Sequence, residues 1–171
     1  MSALKFITKV SGLNKLVSAI TASTGASDGN KILATNTSGK LDASFLPPGV
    51  ELSVETMIAS EALAAGDFVN IWDNAGTREA RLADGSEDKP AHGYVIAGFA
   101  LGASASIYTK GTNNQLTGLT PGVRYFLSDT TPGEATATPP SETSGHIFQV
   151  LGPAINATTI QFEYDDPVYV V

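Results

Sequence analysis

The sequence predicts an all-β protein, with a β-sandwich or barrel-like domain over residues 51–171 behind an extended N-terminal arm over residues 1–50. Three observations predict it. Short strand-type runs recur at near-regular spacing, separated by turn chemistry, as in sandwiches and barrels. Two Pro-Gly pairs, Pro121-Gly122 and Pro132-Gly133, punctuate the C-terminal half, where Pro fixes one central dihedral and Gly accepts a positive φ. Charged residues are only 16% of the chain, below the usual quarter, and Thr, Ser, Ala, Gly and Asn fill the deficit.

Taken in order, residues 1–22 admit two solutions. Ala3, Phe6, Val10, Leu13, Val17 and Ile20 fall at the spacing of a heptad seam. The same segment is rich in β-branched residues, and Ser11-Gly12-Leu13-Asn14 can turn a hairpin between Lys5–Val10 and Lys15–Ile20. The β-branched content favours extended, intertwined strands. Either way a narrow apolar stripe on a short element cannot bury itself, so an oligomer is expected. Lys31–Thr35 reads as a short strand and Asn36–Gly39 as a turn. Leu41–Leu46 reads as a compact turn stopping at Pro47-Pro48, which stiffens the exit and sets a boundary near residue 50.

Strands are expected at Val54–Ala59, Asp67–Trp72, Thr77–Ala83, Gly93–Ala100, Ser104–Tyr108, Arg124–Ser128, Glu134–Thr138, Ile147–Leu151 and Thr159–Tyr164. Asp73-Asn74-Ala75-Gly76, Asp84-Gly85-Ser86 and Gly111-Thr112-Asn113-Asn114 read as turns. Alternation is expected along Phe68, Asn70 and Trp72 and along Ile160, Phe162 and Tyr164. The terminal Val168-Tyr169-Val170-Val171 reads as a closing strand or a subunit contact.

Charge is uneven. The net charge is −7. Residues 1–50 carry five lysines against two aspartates, a balance of +3. Residues 51–171 carry five basic and fifteen acidic residues, a balance of −10. A basic arm on an acidic body suits an arm that docks on an acidic partner surface. Five scattered lysines without arginine or aromatic interleaving form no nucleic-acid stripe. No run approaches a membrane span, and no uninterrupted apolar h-region marks a secretory signal.

Catalytic chemistry is not expected. The absence of cysteine removes disulfides and thiolate metal sites. His92 and His146 read as turn or strand-start histidines, because no nucleophile elbow accompanies them. Glu87-Asp88 and Asp165-Asp166 read as solvated loop charges, lacking the oxygen-ligand density of a calcium loop. Trp72, Tyr94, Tyr108, Tyr125, Tyr164 and Tyr169 suit core or interface positions better than a sugar-binding platform. The scattered glycines form no phosphate loop. No cofactor, metal or catalytic residue is assigned. The candidate attachment and oligomerisation residues are Phe6, Ile7, Val10, Leu13, Leu16, Val17 and Ile20.

Two stretches resemble modules of tailed-phage virion proteins. Residues 116–152, built around Thr120-Pro121-Gly122-Val123-Arg124-Tyr125-Phe126-Leu127 and Thr131-Pro132-Gly133, resemble a small β-domain of head fibres, capsid decoration proteins and tail fibres. Ser23-Thr24-Gly25-Ala26-Ser27-Asp28-Gly29-Asn30-Lys31-Ile32 and Gly39-Lys40-Leu41-Asp42-Ala43-Ser44-Phe45-Leu46-Pro47 resemble a connector of the same proteins. That pattern usually carries Gly, preceded by Ala, as the third residue of its Asp-x-x-Lys unit. Gly29-Asn30 stand there instead, implying a differently shaped turn. The resemblance implies a capsid decoration (cement) or head-fibre protein: a homotrimer bound to the major capsid protein shell, on the capsid exterior of a virion assembled in the host cytoplasm. It equally suits a tail-fibre or baseplate appendage that binds a host cell-surface glycan. The short chain favours decoration. No nucleic-acid or membrane partner is implied.

Overall fold

A computed structural model describes residues 5–29, 31–37, 39–46, 53–140 and 145–171. The protein is all-β. Its strands are β1 (Lys5–Val10), β2 (Leu13–Ser18), β3 (Val54–Ala59), β4 (Phe68–Asn74), β5 (Thr77–Leu82), β6 (Gly93–Tyr94), β7 (Ser104–Tyr108), β8 (Lys110–Asn113), β9 (Arg124–Leu127), β10 (Ala135–Thr136), β11 (Ile147–Phe148), β12 (Val150–Asn156), β13 (Thr159–Glu163) and β14 (Val168–Tyr169). The only helical turns among the described residues are 3₁₀, at Ala26–Asp28 and Ala43–Phe45. The chain divides into two compact units, Met1–Leu52 and Ser53–Val171. The Pro47-Pro48 boundary lies outside the described residues.

In the first unit, β1 and β2 pair antiparallel from Lys5↔Ser18 to Val10↔Leu13. The heptad reading therefore gives way to a hairpin. Ser11 (φ 52) and Gly12 (φ 80) form a two-residue turn with both central dihedrals positive, the combination that matches the twist of the flanking strands. The turn is shorter than expected, so β2 starts at Leu13 rather than Lys15. The expected Lys31–Thr35 strand is reduced to one parallel bridge, Ile20↔Leu33, closed by Ile20 N–H to Ile32 O (2.9 Å) and Ala34 N–H to Ile20 O (2.9 Å).

In the second unit, β3-β5-β4-β6-β7 close into a barrel, and β10-β9-β12-β13-β8 form an open five-stranded sheet. The barrel interior holds Met57, Ala59, Leu63, Val69, Ala80, Val95, Ala105 and Ile107. A second core joins Phe68 and Tyr94 of the barrel to Tyr125, Leu127, Leu151, Ile160 and Phe162 of the open sheet. Its aromatic centre packs Phe68 against Phe162 at 5.6 Å and Tyr94 edge-on to Phe162 at 5.7 Å, the tilted geometry that ring quadrupoles favour.

This double core explains where alternation fails. Phe68, Val69 and Asn70 are all buried, because β4 is shared: Phe68 faces the second core and Val69 the barrel. Asn70 is tolerated there because its Nδ2 donates to Pro90 O (2.8 Å) and its Oδ1 accepts from Arg81 Nε (2.9 Å). In β13, Ile160 and Phe162 are buried while Gln161 and Glu163 are exposed. Tyr164 departs from this pattern, since the strand ends at Glu163 and leaves the ring exposed.

Both Pro-Gly turns form as expected. Gly122 and Gly133 each have φ 80, and the turns close through Val123 N–H to Thr120 O (3.2 Å) and Glu134 N–H to Thr131 O (3.3 Å). Asn74 pairs with Thr77 across a turn in which Ala75 (φ 52) and Gly76 (φ 91) are both positive. Three further expectations change. Gly111–Asn113, expected as a turn, lies in β8. Ile147–Leu151 splits into β11 and the start of the longer β12. Gly93–Ala100 shrinks to β6, followed by a bridge between Leu63 and Phe99. The C-terminal segment closes the fold, with Tyr169 paired to Ile147 and Val168 to Phe148.

Candidate functional site

Two surfaces carry candidate chemistry, one in each unit. The first is the β1–β2 hairpin. Its register sets Phe6 opposite Val17 and Ile7 opposite Leu16. Because side chains alternate along a strand, Phe6, Leu13 and Val17 share one face, and Ile7 and Leu16 take the other. Apolar side chains therefore stand on both faces: Phe6 is 40% exposed, Ile7 73%, Leu13 66% and Leu16 62%. Val17 is half-buried, and Ile20 is half-buried beside its bridge to Leu33. Val10 stands opposite Leu13 in the ladder. Thr8 and Lys15 pair between the two apolar ends of the first face. The structure thus gathers the arm residues into one hairpin, but splits them between two faces rather than along one seam.

The connector behind the hairpin is pinned by side chains. The Asp28 carboxylate accepts the Thr24 N–H (2.5 Å) and the Thr24 hydroxyl (3.0 Å), and pairs with Lys31 Nζ (2.5 Å). The Lys31 contact first, and the Thr24 donors next, hold its pKa down at about 2. Gly25, between these partners, has φ 112 and ψ −150, a conformation suited to glycine alone. Ser44 Oγ accepts the Ser23 N–H at 2.7 Å, tying the two connector motifs together. Asn36 and Gly39 close the intervening loop through Gly39 N–H to Asn36 O (2.9 Å) and Lys40 N–H to Asn36 Oδ1 (3.1 Å). Thr24, Asp28 and Lys31 were visible as motif members; their joint role as one knot was not. Asn30 lies outside the described residues.

The second surface is a cleft of about 390 Å³ in the second unit, lined by Glu55, Ile71, Arg78, His92, Thr109 and Tyr164. Strand β3 supplies Glu55, β4 Ile71 and β5 Arg78. Glu55 and Arg78 form an ion pair at 2.9 Å. His92 is keyed to the barrel, its Nδ1 accepting the Ile71 N–H at 2.9 Å. Burial, with a smaller contribution from Arg78, pushes its pKa below the ordinary value. The neutral ring therefore carries its proton on Nε2. The Tyr164 ring lies 5.7 Å from the imidazole at a 31° tilt, and burial followed by Asp166 raises its pKa.

Of the six aromatics considered from sequence, Tyr94 and Tyr125 are core residues, while Tyr164 and Tyr169 are exposed. Trp72 is held by Ser60 Oγ (3.2 Å) and covered by the Arg81 guanidinium at 4.7 Å. His146 lies 3.3 Å from the Asp129 carboxylate. Glu87 pairs with Lys89 at 2.6 Å. Among the described residues no three His, Asp or Glu side chains gather as metal ligands. The cleft is assembled from six separated segments; of its lining residues His92 and Tyr164 stand out in the sequence, but only singly, as a turn histidine and as one of six aromatics, and no spacing places them together.

No protein-family model matches the chain, and no curated protein or solved structure does either.

Proposed function

We propose that the protein is a structural component of a tailed-phage virion, decorating the capsid exterior as a trimeric cement or head-fibre protein. The hairpin would supply attachment and trimer contacts. The reading is carried by one observation: a hairpin that leaves Phe6, Ile7, Leu13 and Leu16 exposed on its two faces. Isolated two-stranded hairpins are marginal in water, and exposed apolar side chains on both faces call for a partner on each. The connector motifs supply the resemblance to virion proteins.

The physics ranks the contacts. Exposed ion pairs contribute about 0–1 kcal/mol each and are screened by salt. A fully buried side chain of this size contributes roughly 1.5–3 kcal/mol. Burial then sets the strength of attachment, while the lysines set its rate and orientation. Co-sedimentation with undecorated particles tests the reading. Binding should persist in about 1 M NaCl, given that screening, and should be lost in Phe6→Ser and Leu13→Ser. Release by salt with both variants still bound would make the arm an electrostatic anchor. No binding by the unaltered protein would remove the decoration role.

A further inference from the structure

We infer that the cleft beside Tyr164 is a binding site for a neutral saccharide, with the Tyr164 ring as its stacking platform. This site belongs to the second unit and does not depend on how the protein is attached.

An exposed tyrosine alone is ordinary. Tyr164 is distinguished by its surroundings. It is 43% exposed, yet His92 lies against it, so the ring is held rather than free to swing. It also borders two concavities. Tyr164 lines both the cleft of about 390 Å³ and a groove of about 370 Å³ that is also lined by Gly152, Pro153, Gln161 and Glu163 among others. Both are within the size range of small-ligand sites. Two depressions sharing one aromatic wall suit linked rings, one residue in each.

The polar groups suit hydroxyls. A sugar presents an apolar C–H face and a rim of groups that both donate and accept hydrogen bonds. An aromatic ring with a wet edge complements the first. For the rim, His92 offers a fixed Nε2–H donor, since Nδ1 is occupied by the Ile71 N–H. Glu55 offers carboxylate acceptors and Arg78 offers donors, and their ion pair at 2.9 Å holds both at the cleft wall. In the groove Gln161 provides an acceptor, and so does Glu163, whose Oε1 already accepts from Lys110 Nζ at 2.7 Å.

Charge selects the class. The region from residue 51 carries fifteen acidic against five basic residues. Asp165 and Glu163 line the groove itself, Glu163 paired with Lys110 at 2.7 Å. An anionic polysaccharide would meet like charge on approach. A neutral one would not, and its contacts need no counter-ion release.

The test uses the full-length protein and NMR, with methyl glycosides of glucose, galactose and N-acetylglucosamine, their linear trisaccharides, and glucuronate. At least one neutral probe at a concentration on the order of 10 mM should shift the resonances of Tyr164, His92 and Thr109. Its trisaccharide should also shift Gln161. Tyr164→Ala should weaken binding about tenfold, whereas Tyr164→Phe, which keeps the ring, should stay within about threefold. Glu55→Ala, at an exposed position that does not threaten folding, should weaken it several-fold. Glucuronate should bind more weakly than glucose. The inference is overturned if no neutral probe shifts these residues, if shifts cluster elsewhere, if both alanine variants bind as the unaltered protein does, or if glucuronate binds best.

Discussion

His92 shows how one side chain couples a surface cleft to the barrel wall. Its Nδ1 accepts the Ile71 N–H at 2.9 Å, a bond that protonation would destroy. Burial lowers its pKa first, and the positive charge of Arg78 adds to that. The unfolded chain therefore binds a proton more readily than the folded one, so stability rises with pH across the interval between the two pKa values. The stabilising neutral form is fully present above the ordinary histidine value of about 6.5 and is lost as pH falls through the depressed folded value. Urea unfolding at about pH 7.5 and about pH 5 should show the unaltered protein losing more stability on acidification than His92→Gln does, as the ordinary pKa requires. Equal losses would mean that carboxylates alone account for the acid dependence. A histidine in Lys-Pro-Ala-His-Gly-Tyr reads from sequence as a turn residue. Its hydrogen-bond partner lies twenty-one positions upstream, and no spacing rule reaches that far.

At the scale of strands, what was legible was local. The Pro-Gly turns at 121–122 and 132–133 and the Ala75-Gly76 turn follow from the dihedrals those residues prefer. Strands such as Val54–Ala59 and Ser104–Tyr108 follow from short apolar alternation. What failed depends on neighbours. Gly111-Thr112-Asn113-Asn114 looks like a turn, but β13 holds Lys110–Asn113 extended from Glu163↔Lys110 to Ile160↔Asn113. Asn113 is buried there because its Nδ2 donates to Gly66 O at 2.7 Å. The expected strand ends at Leu151, yet Gly152 and Pro153 lie within β12 at a shift in register. Gly152 has φ 136, and a Cβ at that position would stand 1.9 Å from Gln161 O. Gly152→Ala should therefore destabilise by about 3 kcal/mol or more. Gly118, with φ 71 and nothing within 4 Å, should lose only about 1–2 kcal/mol as alanine, the cost of the left-handed conformation. Unfolding midpoints in urea distinguish the two, and equal losses would show that the β12–β13 contact relaxes around the added methyl group.

For the whole molecule the question is which unit needs company. Every residue of the two cores lies between Met57 and Phe162, so the second unit contains its own apolar interior. A chain of residues 53–171 should fold alone and keep the unfolding midpoint of the same unit in the full protein. The first unit has no comparable interior: among its described residues none is buried. Covering Phe6, Ile7, Leu13 and Leu16 contributes at most about 6–12 kcal/mol per copy at the usual value per side chain. Association costs on the order of 4–15 kcal/mol. These are of similar size, so assembly should depend on concentration. Sedimentation equilibrium should find the full chain as a homotrimer at micromolar concentration, dissociating on dilution, and residues 53–171 as a monomer throughout. Ile7→Ser and Leu16→Ser, which alter the face opposite Phe6, should each shift the equilibrium toward monomer without changing the fold of the second unit by circular dichroism. A full-length chain that stays monomeric at those concentrations would leave both faces of the hairpin to the particle and remove self-association from its role. A trimer that persists after residues 1–52 are deleted would move the contact to the second unit, where Val168 and Tyr169 are the exposed apolar residues of its closing strand.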